Sequence, residues 1–434
     1  MPKRKAKPSV APRPRKRVKA EETHSSRKMS GYEKSILENI RRNKEVLTEL
    51  NITQIRLIPT QIAEHGVNTV HRSIGDNDRQ IDYDSVNYRL TYSINTTTYR
   101  YISYKKLMQQ LKVKDHHVTK VVPERIFSLT FHDTTYKTLL FVGDRKGHLG
   151  LWDIDSKEEN NVFVYEPHTR PVVAMVIDPH DNSKLFTCSY DGTIRCADFN
   201  KTAFDEVCVL EEDEFTYMAY GTTSSHTLIA STADGQIKIV DCRKSNGNIL
   251  GYQLHDRTIK CLDVHPINTN IFATSVNKGI LLWDARKLKG PSSCLNVITH
   301  HRSVSSAFFS PITGQQLLAT SMDNLITIGQ SLYQFKLKET LKHATLLIFR
   351  HGNQTGRWLS TFHAKWDPKT DTCFAVGSMK YPRQVDIFSA HQADALTHLQ
   401  HENFTTITSR ISFHPSRYMI AAANSSGKVY LWSA

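Results

Sequence analysis

Seven short apolar segments recur along this chain at nearly constant spacing, and each closes on one aromatic or aliphatic anchor. The intervals between successive anchors are 45, 43, 43, 45, 60 and 44 residues. A period in the low forties built of short strands is typical of a β-propeller, in which every repeat folds as a four-stranded blade. The spacing therefore predicts an all-β ring of seven blades, each with strands A to D. The anchors are Trp152, Ala197, Val240, Trp283, Ile328, Phe388 and Trp432.

Three of the repeats share a frame that indicates the kind of propeller. Histidine opens the runs His168–Val172, His255–Ile259 and His301–Val304, and each run continues through strand A to a proline. A second strand, a tight turn and a third strand ending at the anchor follow. Glycine and aspartate suit such turns, because glycine tolerates positive φ and aspartate caps its own backbone. The frame is that of WD40 repeats, and it predicts turns at Asp191–Gly192, Asp234–Gly235 and Lys278–Gly279.

The end of the chain indicates how the ring closes. Only Ser433 and Ala434 follow the last anchor, so the seventh blade has no sequence left for its outer strand. We expect that strand to come from upstream of the first blade, where Val118–Val122 precedes Pro123. Such closure leaves no open sheet edge in the ring. The seven-bladed WD40 propeller is therefore predicted at residues 117–434.

Positive charge is concentrated at the start of the chain. The formal net charge is +14, and residues 1–28 carry eleven Lys or Arg against two Glu, a net charge of +9. The clusters Pro2–Lys5 and Arg15–Arg17 lie in a Pro-rich, aliphatic-poor context that cannot form a core. Residues 1–29 are thus predicted to be a basic disordered tail. Two such clusters are typical of a nuclear import signal, which predicts location in the nucleus; a nucleic-acid tether and a solubilising tail are the alternatives.

Two segments separate this tail from the ring. Apolar residues recur at helical spacing from Gly31 to Leu50, and Ser30 with Glu33 forms the pattern of a capping box. Residues 30–50 are predicted to be an amphipathic helix, which either packs on the ring or binds a partner. Residues 51–116 crowd six tyrosines among Asn and Thr. They are interpreted as a linker, either flexible or folded as an extra hairpin along the ring.

The sequence contains no motif of an enzyme, a metal site or a membrane helix. It has no phosphate-binding loop, zinc-protease helix or nucleophile elbow. No apolar run approaches the roughly 20 residues of a membrane span. The seven cysteines are scattered without a C-x-x-C pair, which predicts free thiols in a reducing compartment. The histidines are mostly explained by their places in the repeats. We expect a binding protein without catalytic residues, metal, cofactor or membrane contact.

The register of the repeats assigns loops to the two rims of the propeller. The B–C and D–A loops of a blade lie on one rim, here called the BC/DA rim, and the A–B and C–D loops lie on the other, the AB/CD rim. Arg170, Arg257 and Arg302 share one register, two residues before strand A, so three blades place an arginine on the BC/DA rim. Further basic residues expected there are Arg125, Arg145, Lys146, Lys278, Arg357, Lys380 and Arg383.

A ring of arginine and lysine on a shallow circular surface matches the electrostatic footprint of nucleic-acid phosphates. The alternative is that loop tips are charged in any soluble protein. Phosphate contacts position a protein on DNA without reading bases, so this pattern predicts DNA binding and says nothing about sequence preference.

The one long interval indicates an insertion. About 15 additional residues lie between Ile328 and strand A of the sixth blade, and we expect them to emerge on the BC/DA rim. Trp358 in this insertion is a candidate to stack on a base or to wedge into distorted duplex DNA. The alternative is that Trp358 folds back into the core.

The AB/CD rim carries a different pattern. The sequence Trp283-Asp284-Ala285-Arg286 ends a third strand, and an arginine two places after an aspartate recurs at Arg243 in the preceding blade. Trp-Asp is common in WD repeats for structural reasons, so Arg286 is the informative residue of the four.

Five sequence runs connect the chain to one WD40 family. They are Val122–Ile126, Glu166–Val172, Ser189–Arg195, Thr355–Trp358 and Asn424–Lys428. In these runs the chain resembles the family of WD repeat-containing protein 76 and its fungal damaged-DNA-binding counterparts. The resemblance covers the whole propeller and the predicted helix. These proteins are relatives of the small, UV-lesion-recognising subunit of the damaged-DNA-binding complex.

The resemblance implies nuclear DNA binding through the basic rim and a role in the response to DNA damage. It also implies that the box Trp283, Asp284 and Arg286, repeated at Arg243, contacts the adaptor of the cullin-4 ubiquitin ligase. The UV sensor inserts an aromatic-Gln-His hairpin into the lesion, and the insertion here lacks that tripeptide. The resemblance therefore extends to DNA binding and not to UV photoproducts.

Two functions of different classes follow from these patterns. The first is a nuclear DNA-binding propeller that acts in the DNA damage response and recruits the cullin-4 ligase adaptor. The second is a chromatin-associated scaffold without direct DNA recognition, whose basic rim binds acidic proteins or histone-associated partners. Histones or other chromatin proteins are its candidate partners. A steep fall of affinity with salt, alike for unrelated duplex sequences, distinguishes the first.

Overall fold

A computed structural model describes residues 104–434 apart from 159, 202, 222–225, 244–248, 331–346, 355 and 357–358. The predicted basic tail at 1–29, the predicted helix at 30–50 and most of the linker lie outside the described residues. Arg357 and Trp358 lie outside them as well. In the part of the chain that is described, no helix is long and apolar enough to cross a membrane.

The chain forms seven four-stranded antiparallel sheets, which are the blades of a propeller, as the repeat spacing predicts. Consecutive strands A to D pair within each blade, and the A strands of neighbouring blades pack against one another around the centre. This arrangement puts the connections between strands at the two rims. It also leaves strand D of each blade on the outside.

The strands are numbered β1 to β28 in chain order, and β1 spans Lys112–Lys120. Blades one to three contain β2–β5 (Ile126–Phe131, Leu139–Asp144, Leu149–Asp153, Val162–Tyr165), β6–β9 (Val172–Ile177, Lys184–Ser189, Thr193–Asp198, Ala203–Val209) and β10–β13 (Phe215–Tyr220, Thr227–Thr232, Gln236–Asp241, Ile249–Gln253). Blades four and five contain β14–β17 (Cys261–Val264, Ile271–Val276, Gly279–Asp284, Asn296–Thr299) and β18–β21 (Val304–Phe309, Gln316–Ser321, Leu325–Gln330, Leu347–Arg350). Blades six and seven contain β22–β25 (Lys365–Trp366, Cys373–Gly377, Val385–Ser389, Gln392–Leu399) and β26–β28 (Thr408–Phe413, Met419–Asn424, Lys428–Ser433). Two short 3-10 turns, Ala285–Lys287 and Pro291–Ser293, follow β16.

The ring closes through β1, which is the outer strand of the seventh blade. It pairs antiparallel with β28, placing Val118 opposite Tyr430 and Val113 opposite Trp432. The donor strand starts earlier than the predicted Val118–Val122, since its pairing extends back to Lys112. Residues 104–110 form a helix that precedes the strand. The described part of the predicted linker is therefore a helix and a strand, and not an extra hairpin.

The seven predicted anchors all lie on strand C of their blades, and all are buried. The histidine frame connects these strands to the loops. The Nε2 atom of His255 and the indole Nε1 of Trp283 both lie at hydrogen-bond distance from Thr274 Oγ1, 3.0 and 2.9 Å away. His168 makes the matching contact with Thr187 Oγ1 at 2.9 Å. Burial lowers the pKa of His255 to about 4 and also lowers the pKa of His168, and both histidines serve as structural groups. All seven cysteines are free thiols.

Most B–C turns contain one residue in the left-handed region. That residue is a glycine in four blades, but it is Lys278 in the fourth blade, with φ 78°, and Asn324 in the fifth, with φ 64°. The turn predicted at Lys278–Gly279 is present, and its left-handed residue is Lys278. The turn between β15 and β16 has only two residues, so the left-handed position falls one residue before the glycine. The four glycines are Gly147, Gly192, Gly235 and Gly427.

The extra length of the 60-residue interval is divided between two connections. Leu347–Arg350 is β21, the outer strand of the fifth blade, with Leu347 opposite Ile328 and Arg350 opposite Leu325. Part of the extra length thus falls in the chain between strands C and D, where residues 331–346 are outside the described residues. Residues 351–364 join β21 to β22 at the BC/DA rim. The expectation that the whole insertion emerges on the BC/DA rim is wrong, because outer strands carry no repeat signature by which β21 is recognised.

Candidate nucleic-acid interface

Backbone hydrogen bonds hold the B–C turns and the D–A loops together on the BC/DA rim. The N–H of Arg145 in a B–C turn donates to the carbonyl of Arg125 in a D–A loop at 2.9 Å. The N–H of His300 in a D–A loop donates to the carbonyl of Lys278 in a B–C turn, also at 2.9 Å. These bonds fix where each side chain leaves the rim. The register rule thus places the predicted basic residues that are described on one surface.

Over the first three blades, carboxylates accompany the basic side chains. Lys146 Nζ lies 3.1 Å from Glu124 Oε1. Arg170 Nη1 lies 2.5 Å from Glu214 Oε1 and donates to the Tyr190 carbonyl at 3.1 Å. The hydrogen bond and charge of Lys146 lower the pKa of Glu124. We call this region the paired arc; it comprises Glu124, Arg125, Arg145, Lys146, Arg170 and Glu214.

Arg125 in the paired arc is packed more closely than the loop-tip cations. Its guanidinium lies over the ring of Phe127, with Cζ 5.1 Å from the ring centroid. Burial and then the charge of Arg145 lower its pKa. Arg145, in contrast, is exposed at the tip of its turn. The two side chains therefore raise the local positive potential, but only Arg145 presents it to the outside.

Over blades four to six, exposed cations stand without carboxylates. Arg257, Lys278 and Arg302 are all exposed, and no carboxylate among the described residues lies within 4.0 Å of their charged nitrogens. Arg350, at the end of β21, is exposed on the same rim. Its position at the end of an outer strand explains why the repeat frame does not predict it. We call this region the open arc; it comprises Arg257, Lys278, Arg302, Arg350 and Lys380.

The B–C loop of the sixth blade adds an aromatic side chain to the open arc. Tyr381 is 89% exposed and stands beside the exposed Lys380. Arg383 folds back onto its own loop, where Nη1 donates to the carbonyl of Met379 at 2.7 Å. Its guanidinium therefore supports the loop and is less available than that of Arg257. Tyr381 is an aromatic ring that the repeat frame gives no reason to select.

On the AB/CD rim, two arginines are held in the same way. Arg286 Nε and Nη2 donate to the carboxylate of Asp284 at 2.9 and 2.8 Å. Arg243 makes the same bidentate pair with Asp241 at 2.9 and 2.6 Å. The pair lowers the pKa of Asp284. Both guanidiniums are more than half exposed, so they are fixed and accessible.

The predicted contact role of Trp283 does not fit the structure. Its side chain is fully buried, and Asp284 is also buried. A partner on the AB/CD rim reaches Arg286 and Arg243, whereas Trp283 packs in the core and Asp284 orients the guanidinium. The reason is general to strand C: its anchor faces the interior of the sheet stack, and only the residues after the strand reach the rim.

Among the described residues, no group of three or more His, Cys, Asp or Glu side chains is arranged to hold a metal ion. His168 and His255 of the repeat frame contact hydroxyl and carboxylate partners within the blades. The arrangement therefore offers fixed positive charge, one exposed aromatic ring and shaped loops, which are the means of binding a charged macromolecule.

Comparison with known proteins identifies the repeat and its relatives. A family model described as "WD domain, G-beta repeat" matches residues 159–198. The chain is 35% identical to WD repeat-containing protein 76 of Xenopus laevis over 333 residues, which cover 76% of this chain and 56% of that protein. It is 33% identical to the Mus musculus protein of that name over 338 residues, covering 76% and 52%. It is 30% identical to DNA damage-binding protein CMR1 of Phaeosphaeria nodorum over 351 residues, covering 72% and 66%. The match spans little more than half of the two animal relatives.

Proposed function

We propose that this chain, which belongs to the WD40-repeat family of WD repeat-containing protein 76 and the fungal DNA damage-binding protein CMR1, binds duplex DNA through the BC/DA rim. The name of the fungal relatives states DNA damage binding for those proteins. The observation that supports the same activity here is the open arc. Three exposed cations from three successive loops, without carboxylate partners, stand on one rigid rim.

The charge of the open arc suits phosphates better than an uncharged partner. Each cation that neutralises a phosphate releases condensed counterions, which drives binding and makes it dependent on salt. The paired arc contributes less, because Lys146 and Arg170 are compensated by Glu124 and Glu214 and only Arg145 is exposed at a loop tip without a carboxylate partner among the described residues. Tyr381 adds a flat ring next to Lys380, and base stacking on such a ring tolerates any sequence. The proposal is therefore binding by backbone charge, with sequence preference absent.

Nuclear location and a role in the DNA damage response are part of the proposal. The first 28 residues carry a net charge of +9, and they contain two basic clusters of the import type. The same tail adds a second, nonspecific source of DNA affinity. Any test of the rim must therefore separate the rim from the tail.

The test is a salt series of duplex-DNA affinity with the full chain. We compare wild type with the neutralised variant Arg257→Gln/Lys278→Gln/Arg302→Gln. Removing three phosphate contacts is expected to reduce the slope of log affinity against log salt by about 2.7, since each contact contributes about 0.9. The control variant, Lys3→Gln/Arg4→Gln/Lys5→Gln, carries the same charge loss in the tail. Rim binding is refuted if the tail variant loses the slope and the rim variant keeps it.

The chromatin scaffold is the second candidate, and the same charge distribution favours it if the preferred partner is an acidic protein surface. Its specific outcome is that the open-arc variant loses binding to histone-associated acidic proteins while duplex DNA of any sequence binds wild type only weakly. Measuring both ligands on one set of variants decides between the two candidates.

The AB/CD rim supports a second part of the proposal, contact with the adaptor of the cullin-4 ubiquitin ligase. Arg286 is exposed and held by two hydrogen bonds to Asp284, so it meets a partner without losing side-chain freedom. Arg286→Ala is expected to weaken binding of the purified adaptor by at least tenfold, and Arg243→Ala by less. Lys287→Ala, an exposed neighbour, is the matched control. Equal affinity of Arg286→Ala and wild type would refute the contact.

A further inference from the structure

The A strands of the seven blades enclose a central channel that contains two cavities. One has a volume of about 380 Å³ and the other of about 300 Å³. Arg410, Tyr217 and His363 line both cavities and lie where the two meet. The smaller cavity is also lined by Thr258 and Lys260, which precede β14 on the BC/DA rim. We call the smaller one the rim cavity.

The connection from β21 to β22 covers the rim cavity. Ser360 in this connection donates its hydroxyl hydrogen to the carbonyl of Ile126 in the first blade, at 2.8 Å. Two residues later, the carbonyl of Phe362 accepts from Ser305 Oγ at 3.0 Å. The chain thus reaches from the fifth blade across to the first. The described part of the long connection builds a wall of the channel, and the rim cavity is a formed site with walls on several sides.

The side chains that line the rim cavity include two cations and no acidic group. The hydroxyls of Ser305, Ser360 and Thr258 already donate to backbone carbonyls. Arg410 differs, because its Nε and Nη1 are buried and have no hydrogen-bond partner. Lys260 Nζ contacts only the hydroxyl of Ser303 among the described residues, at 2.5 Å. Tyr190, Tyr217 and His363 also line the cavity, but the charged donors in its lining are Arg410 and Lys260, and these call for an anionic acceptor.

The other cavity is different in charge. It contains Lys365 together with Asp263, whose carboxylate accepts from the N–H of Phe309 at 2.8 Å. Burial raises the pKa of Asp263 to about 6. Burial also lowers the pKa of Arg410 to about 10, so this guanidinium remains charged at neutral pH. A buried cation without an anion is costly. Of these two cavities, the rim cavity is the one whose lining has no acidic side chain.

We propose that the rim cavity binds a phosphate group between Arg410 and Lys260. The guanidinium of Arg410 supplies positive charge at the channel wall, and Lys260 supplies an ammonium at the mouth. This site lies inside the channel, apart from the open arc, and does not depend on DNA binding there. The phosphate comes either from free inorganic phosphate or from the terminal phosphate of an oligonucleotide, and both present the same oxygen atoms.

The test is thermal unfolding and calorimetric titration of the full chain with sodium phosphate, at constant ionic strength set by sodium chloride. Phosphate at tenfold its Kd is expected to raise the Tm of wild type by about 1–3 °C. Arg410→Met and Lys260→Met are each expected to weaken phosphate affinity at least tenfold. Lys289→Met, which removes an exposed lysine on the AB/CD rim, is expected to keep the wild-type affinity.

Two variants are used because the replacement of a buried residue can itself impair folding. Arg410 is in the interior, and its replacement alters the channel wall, whereas Lys260 is exposed at the mouth and its replacement leaves the core intact. If folded Lys260→Met binds phosphate as wild type does, or if wild type shows no phosphate-specific shift, the proposal is refuted. A 5′-phosphorylated oligonucleotide that displaces phosphate, where the unphosphorylated one does not, identifies the nucleic-acid terminus as the source. Displacement by neither leaves free phosphate as the ligand.

Discussion

The paired arc and the open arc lie on the same rim and are built from the same repeat frame, yet they differ in available charge. Arg170 and Arg257 occupy matching positions in the repeat, two residues after the frame histidine and two before the first Val or Ile that follows it, Val172 and Ile259. Arg170 is 2.5 Å from Glu214, which belongs to the next D–A loop along the chain. The next D–A loop after the one that contains Arg257 spans residues 300–303, and it consists of histidine, arginine and serine without an acidic residue. Register decides which rim a charge faces, and the neighbouring loop decides whether that charge is available to a ligand.

This difference matters for function more than for stability. An exposed ion pair contributes about 0–1 kcal/mol to the free energy of unfolding, so the pairs of the paired arc do little to hold the ring together. They nevertheless cancel charge that DNA phosphates would otherwise meet. The two arcs can therefore be compared directly, because the same scaffold presents cations paired with carboxylates in one and unpaired cations in the other.

The strongest test of the comparison is charge reversal in each arc. We expect Arg257→Glu/Lys278→Glu/Arg302→Glu to weaken duplex-DNA binding on the order of a hundredfold at moderate salt, because three phosphate contacts become repulsions. The matched variant in the paired arc is Arg145→Glu/Lys146→Glu/Arg170→Glu, with an expected loss of less than about tenfold, because two of its three cations are already paired with carboxylates. Affinities are measured by fluorescence anisotropy on one labelled duplex, with circular dichroism to confirm folding. Equal losses in the two variants would remove the distinction between the arcs.

Features fixed by the repeat frame could be predicted from the sequence, whereas contacts between neighbouring loops could not. Spacing predicts the seven blades, because each strand C must bury its anchor between sheets, as Trp152 and Trp432 do. The closure by an upstream strand follows from counting strands. Outer strands such as β21 were not predictable, because their half-exposed residues carry no fixed pattern.

The site could be predicted from the sequence only as far as it does not depend on contacts between loops of different blades. The rim of each basic residue follows from the repeat, but the pairing of Arg170 with Glu214 depends on how two loops 44 residues apart approach each other. Arg410 lies on a strand that the frame predicts, at a position the frame leaves unmarked. Its exposure to the channel depends on the curvature of the whole ring, which no local pattern contains.

A smaller effect is expected from releasing the paired arc. Glu214→Gln removes the partner of Arg170 and leaves the guanidinium free to meet a phosphate. We expect duplex-DNA affinity to rise about threefold and the salt slope to steepen by about 0.9, the value of one added contact. The measurement is the same anisotropy titration over a salt series. The double variant Glu214→Gln/Arg170→Gln serves as control and should lose the gain; a gain that persists in it would trace to the removed negative charge alone.

The smallest expected effect concerns Lys278. Its left-handed backbone conformation favours glycine, whereas DNA binding favours the lysine charge. Its φ of 78° is a conformation that glycine adopts without cost in four other blades. Lys278→Gly removes the strain of a left-handed residue and adds unfolded-state entropy, so the free energy of unfolding is expected to rise by only about 0.5 kcal/mol. The same change removes one open-arc cation and is expected to weaken duplex-DNA binding about two- to threefold.

Lys278→Asn separates the two effects, because asparagine tolerates the left-handed region and keeps a side chain while losing the charge. It should weaken DNA binding as much as Lys278→Gly and stabilise the fold less. Urea unfolding of the two variants, alongside their DNA titrations, provides both quantities. If Lys278→Gly binds DNA as wild type does, the lysine is not a phosphate contact and the open arc contracts to its arginines and Lys380. A weaker affinity with greater stability would mean that this turn accepts backbone strain in order to present a charge.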